Sequence, residues 1–155
     1  MIDQFERDFV TTDIITVLIV DDHPVVRKGL VTFISSFPDF KLVGEAEDAV
    51  TGLEVYRREH PQVVLMDLLL PDMDGAEAIR MIRREFPAAA ILALSASGDD
   101  ELIEATLRAG ARGFLSKLVS ISELADAIRQ VQRGRMILDV RASEIVQRLI
   151  GAPDV

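Results

Sequence analysis

Short apolar runs alternate along this chain with longer segments that carry a single apolar stripe. The runs are TVLIV (16–20), KLVGEA (41–46), QVVLM (62–66), AILAL (90–94) and GFLS (113–116). Runs this short and this apolar read as strands buried on both faces. The segments between them have helical spacing. Over 24–36, Val26, Leu30, Phe33 and the following Phe37 share a face. Over 48–60 the pair is Leu53 and Tyr56, and over 75–86 the set is Ile79, Ile82 and Phe86. Over 120–133, Ile121, Leu124, Ile128 and Val131 recur at helical intervals. Each is one apolar stripe on an otherwise polar helix. The stretch DDELIEATLRA (99–109) is less clear-cut, and its Ala and Thr content implies a shallow packing face.

The punctuation agrees. Pro24 stands where a helix begins after the first strand, and Pro61 and Pro87 follow helices. Asp72-Met73-Asp74-Gly75 marks a turn, and Gly110 ends a helical pattern. Ser120 precedes Glu123 at capping-box spacing. Five strands alternating with five helices predict βαβ units, hence an α/β fold with a doubly wound parallel sheet. Residues 16–133 hold the five units. Residues 1–15 read as an N-terminal extension. Residues 134–155 carry a further stripe, Ile145 and Leu149 with Val146 and Ile150 beside them, which predicts an extra C-terminal helix or linker.

Composition narrows the field. The chain has 155 residues, 49% of them hydrophobic, with 17 basic and 26 acidic side chains and a net charge of −9. That suits one globular domain with a substantial core. The absence of cysteine excludes disulfides, thiolate metal sites and cysteine nucleophiles. The acidic balance opposes a nucleic-acid surface made by these residues alone. No run predicts a membrane span, and the acidic start is unlike a secretory signal, so the expected compartment is the cytoplasm.

The informative residues are those that end the strands. The first run ends in Asp21-Asp22, the third in Asp67, the fourth in Ser95 and the fifth in Lys117. A doubly wound sheet gathers all of these at its carboxyl edge. Three carboxylates close together repel one another, and a hard divalent cation, Mg²⁺ or Mn²⁺, relieves this. With a cation and Lys117 neutralising phosphoryl oxygens, Asp67 becomes a candidate nucleophile that forms an aspartyl phosphate, and Ser95 a donor to it. Alone, each residue has a bland reading: Asp21-Asp22 as turn and cap, Asp67 as turn, Lys117 as solvated surface, Ser95 as a strand-end hydroxyl. Their joint occurrence at successive strand ends favours a site. His23 sits beside the acids, where a ligand role competes with the favoured reading as a polar residue opening the first helix.

The segments VLIVDDHPVVRKGL (17–30), VVLMDLLLPDMDG (63–75), ILALSA (91–96) and GARGFLSK (110–117) resemble the receiver domain of two-component response regulators, in that family's order and spacing. DDHPVVRKGL and GARGFLSK look most like the LuxR/NarL-type subfamily. The resemblance implies a flavodoxin-like (βα)5 fold with strand order 2-1-3-4-5. It implies Asp67 as phosphoacceptor, with Asp22, Asp67 and the Leu69 backbone carbonyl as Mg²⁺ ligands. Asp21 would hold the metal's water or ligate it. Lys117 would bind the phosphoryl group, and Ser95 and Phe114 would be the switch pair. The implied partners are a sensor histidine kinase, a second copy on phosphorylation, and DNA only through a C-terminal helix-turn-helix domain outside this chain. No turnover enzyme is implied, only self-phosphorylation and slow loss. Leu118 follows Lys117 where many receivers have proline, and Phe114 lacks the hydroxyl of a switch tyrosine.

Two other classes compete. A pseudo-receiver would keep the acids as an interaction module without phosphorylation, and Mg²⁺ titration discriminates it. An aspartate-based phosphohydrolase resembles this chemistry but places its nucleophile at the end of strand one, two residues before a second Asp, whereas Asp21 and Asp22 are adjacent. No phosphate-binding P-loop, dinucleotide fingerprint or nucleophile elbow is present.

Overall fold

A computed structural model describes residues 13–96 and 98–151. Most of the expected N-terminal extension lies outside the described residues. Among the described residues, six strands and six helices alternate. The strands are β1 (Ile15–Val20), β2 (Phe40–Ala46), β3 (Val63–Asp67), β4 (Ile91–Ser95), β5 (Gly113–Ser116) and β6 (Ile137–Leu138). The helices are α1 (Pro24–Ser35), α2 (Ala49–Glu59), α3 (Gly75–Glu85), α4 (Asp100–Arg108), α5 (Ile121–Gln132) and α6 (Val140–Gly151). All pairings are parallel, in the order β2-β1-β3-β4-β5-β6. The predicted order 2-1-3-4-5 is therefore present, but the sheet has a sixth strand where five were expected. β6 has two residues, too few to show any periodicity, and it exists because Gly113 and Phe114 offer it a free edge.

Alternate side chains of the strands feed two cores, as a pleated sheet requires. Leu18, Val20, Val64, Met66, Ile91, Ala93 and Phe114 point to one face, among residues of α2, α3, α4 and α6. Val17, Ile19, Val63, Leu65, Leu92, Leu94 and Leu115 point to the other, against α1 and α5. Burying such aliphatic side chains stabilises the fold by roughly 1.5–3 kcal/mol each, which fixes the register. Register in turn fixes which residues stand at the carboxyl edge. Asp48, Asp74, Asp99 and Ser120 cap α2 to α5, each accepting from an amide three residues on.

The predicted stripe of α1 is only half used. Phe33 and Ile34 are buried, while Val26 is 37% exposed, because α1 starts at the carboxyl edge and only its C-terminal half reaches the core. The shallow face expected of α4 is made by Ile103 and Thr106.

The last helix is docked. Ala142 and Ile145 of α6 are buried in the same core as Ile103 and Phe114. Asp139, just before α6, ties it to β5: its amide donates to the Phe114 carbonyl at 3.0 Å. Its carboxylate accepts from the Ser116 amide at 3.0 Å and the Ala142 amide at 2.8 Å. Asp100 at the start of α4 holds Arg141 and Arg148 of α6. The Arg148 hydrogen bond, with that of Arg141, keeps the Asp100 carboxyl below its ordinary range. Exposed pairs of this kind add little, so the buried Ile145 carries the docking. Ile145→Ala is expected to lower unfolding stability by about 2–4 kcal/mol in a urea titration. An unchanged midpoint would mean that α6 is not part of the cooperative unit.

Candidate functional site

Five loops leave the carboxyl ends of β1 to β5, and the chemistry gathers there. Asp21 follows β1 directly, and its amide donates to the Ala46 carbonyl of β2. This pulls its carboxylate inside the edge, where it is 1% exposed. Asp67 is the last residue of β3 and is 3% exposed. Lys117 follows β5, and its amide donates to the Ser95 carbonyl of β4, which aims its side chain back across the edge. Its Nζ lies 3.2 Å from Asp21 Oδ2 and 3.3 Å from Asp67 Oδ1. Two buried carboxylates thus share one ammonium. Asp22 is half-buried beside them.

The anion set is not satisfied by its neighbours. Asp67 Oδ1 accepts from the Leu69 amide at 3.3 Å. Asp67 Oδ2 and Asp22 Oδ1 are buried and accept no hydrogen bond. A buried oxygen without a donor is costly, and more so when charged. Asp21, Asp22, His23 and Asp67 each present a ligand atom, all within 4.8 Å of one another. An oxygen-rich group of this kind suits a hard divalent cation.

The other expected residues are near. Ser95 ends β4 and is buried. Phe114 is buried inside β5, three residues before Lys117. Leu69 is exposed, and its backbone pairs with Asp74 in an isolated bridge that shapes the loop after β3. The sequence reasoning missed two contributors and set a third aside. Arg27 donates to the Asp21 carbonyl at 2.7 Å and pairs with Glu45. Asp72 accepts from the Ala49 and Val50 amides at 3.0 Å, tying the loop after β3 to the start of α2. Burial pushes its pKa up, but the backbone hydrogen bonds outweigh that and hold it below the ordinary value. The third is His23, whose ring enters the acid cluster. No one-dimensional signal marks Arg27 or Asp72, because their partners lie on other loops. The adjacency of His23 to Asp21-Asp22 was visible.

Known proteins resemble this chain in sequence and fold. Residues 17–129 match the response regulator receiver domain family. The transcriptional regulatory protein LiaR of Bacillus subtilis is 38% identical over 136 residues, covering 87% of this chain and 64% of LiaR. A LuxR-family two-component response regulator from Aurantimonas superposes with a TM-score of 0.82 at 34% identity, covering 89% of this chain and 99% of that one. The isolated receiver domain of RcsB from Salmonella enterica, solved with the phosphomimetic BeF3−, gives 0.77 at 26% identity, covering 86% and 99%. The chain spans less than two thirds of the length of the curated relatives it matches. With its parallel sheet, its acid-lined carboxyl edge and a family match across most of its length, this chain belongs to the response regulator receiver domains, among relatives of the LuxR/NarL type.

Proposed function

We propose that the chain is a phosphorylation-controlled switch in which Asp67 accepts a phosphoryl group from a histidine kinase. The supporting observation is the buried, unpartnered Asp67 Oδ2, facing Asp21, Asp22 and Lys117 at one sheet edge. That oxygen is a nucleophile held without a competing donor. It attacks phosphorus, the phosphorus–nitrogen bond of the donor breaks, and the kinase histidine leaves with the electron pair. Lys117 is close enough to turn from Asp67 Oδ1 toward the incoming phosphoryl oxygens. Asp21, Asp22, Asp67 and the Leu69 carbonyl would hold Mg²⁺ or Mn²⁺, which the oxygen donors fit. When bound, the cation neutralises charge on the phosphoryl oxygens.

Output follows from what touches Lys117. Ser95 is drawn to the new phosphoryl group and Phe114 moves with β5. Asp139 grips β5 at Phe114 and Ser116 and also caps the first turn of α6, so that motion reaches α6. This is a local charge event acting on an element with two packings. Residues 16–133 carry the phosphorylation site, and the docked β6 and α6 lead from it toward an output domain. LiaR is named a transcriptional regulatory protein. By that likeness the output is binding of promoter DNA by a C-terminal domain, with pairing of two receivers on phosphorylation. A pseudo-receiver reading has no observation in its favour, since every chemical group is present.

Incubation with acetyl phosphate and Mg²⁺, followed by intact-protein mass spectrometry, is expected to show one added phosphoryl group. Asp67→Asn is expected to show none. Addition to the variant would overturn the acceptor assignment. Absence of addition to folded wild type would overturn the switch. Lys117→Ala leaves two buried carboxylates without their ammonium. It is expected to lose about 3 kcal/mol of stability in chelator, part of which millimolar Mg²⁺ restores, as read by urea unfolding. Equal midpoints for the two proteins would contradict the role given to Lys117.

A further inference from the structure

His23 stands at the N-cap of α1, a position where Ser, Thr, Asp or Asn normally caps. Its side chain makes no cap hydrogen bond to the helix. The ring turns the other way, into the acid cluster. Nδ1 lies 3.2 Å from Asp21 Oδ1, 3.1 Å from Asp22 Oδ1 and 3.5 Å from Asp67 Oδ2. Nδ1 is within hydrogen-bond distance of Asp21 Oδ1, the direction set by the tautomer, while Asp22 Oδ1 and Asp67 Oδ2 accept no hydrogen bond from it or from any other group. Donors on adjacent corners of an octahedron with ~2.1 Å bonds are about 3.0 Å apart. The contacts of Nδ1 with Asp21 and Asp22 match that spacing. The backbone supports the placement, because the His23 amide donates to Asp21 Oδ1 at 2.8 Å. Nε2 is left for solvent, as the ring is 56% exposed.

We propose that His23 Nδ1 is a further protein donor to the cation of this pocket, so that the site favours first-row transition-metal divalents such as Mn²⁺, Co²⁺ and Ni²⁺ over Mg²⁺. The inference rests on the reading of the acid cluster as the cation pocket of the phosphorylation site. Carboxylates alone suit Mg²⁺, whereas an imidazole adds affinity for the later first-row ions and almost none for Mg²⁺. The cation that supports phosphorylation is then set by the intracellular balance of metals, and not by Mg²⁺ alone. The other histidine, His60, closes α2 beside Tyr56 and Phe86, so a nitrogen signal from a bound ion reports on His23.

The test is calorimetric titration of the chelator-stripped chain with MgCl2 and with CoCl2, for wild type and His23→Ala. It is paired with electron spin-echo modulation of bound Mn²⁺, which detects directly coordinated nitrogen. His23 makes no side-chain cap, so the variant keeps the fold, and circular dichroism checks this. The expected result is at least about a tenfold loss of Co²⁺ affinity in the variant, with Mg²⁺ affinity changed by less than about threefold. Nitrogen modulation is expected in wild type only. Parallel loss for both ions, no loss for either, or wild-type Mn²⁺ without nitrogen modulation overturns the inference while leaving the pocket reading intact. A wild type that binds none of these ions overturns both.

Discussion

Lys117 lies between two buried carboxylates, Asp21 and Asp67, and the carboxyl edge is arranged around that contact. One ammonium cannot satisfy both, and Asp22 adds a third acid. The fold therefore carries a buried excess of negative charge at the one place where a doubly wound sheet opens to solvent. The hydrophobic register on both faces of the sheet holds these groups together against their repulsion. A site poised in this way costs stability in the resting protein. On the proposed reading, a cation would relieve that cost and an arriving phosphoryl group would change it again.

The same lysine joins the acid edge to the last helix. It follows β5 directly, and β5 is gripped on its far side by β6 and by Asp139. Asp139 belongs equally to the first turn of α6. Phe114, whose carbonyl accepts from the Asp139 amide, shares a core with Ile103 of α4 and Ile145 of α6. Charge at Asp67, position of Lys117 and seating of α6 are thus joined by a short series of direct contacts. The ion pairs of Asp100 with Arg141 and Arg148 span α4 and α6 on the surface. Being exposed, they are weak enough to exchange without unfolding either helix.

Most of this was legible in the residues. Apolar runs ending in Asp, Asp, Ser and Lys specify both the strands and the edge, because strand burial and strand-end chemistry are local in sequence. Ser120 with Glu123 announces α5 for the same reason. What was not legible depends on distant partners. β6 is two residues long and is a strand only because β5 offers it an edge. Asp139 looks like a linker aspartate until β5 and α6 are both in place. Val26 sits on a well-formed stripe yet is exposed, since periodicity shows which side of a helix faces inward but not how far the core extends. His23 was visible beside two acids, but its ring direction depends on where Asp67 stands, 44 residues later.

The central claim is that the acid pocket and the docked last helix are one mechanical unit. Hydrogen exchange at the Ser116 and Ala142 amides, which both donate to Asp139, tests it most directly. The protein would be compared with and without Mg²⁺ plus BeF3−, with Asp67→Asn as control. The account predicts that exchange at both amides changes together in wild type and at neither in the variant. Exchange that changes around Asp67 and Lys117 while the Ala142 amide stays the same would contradict it.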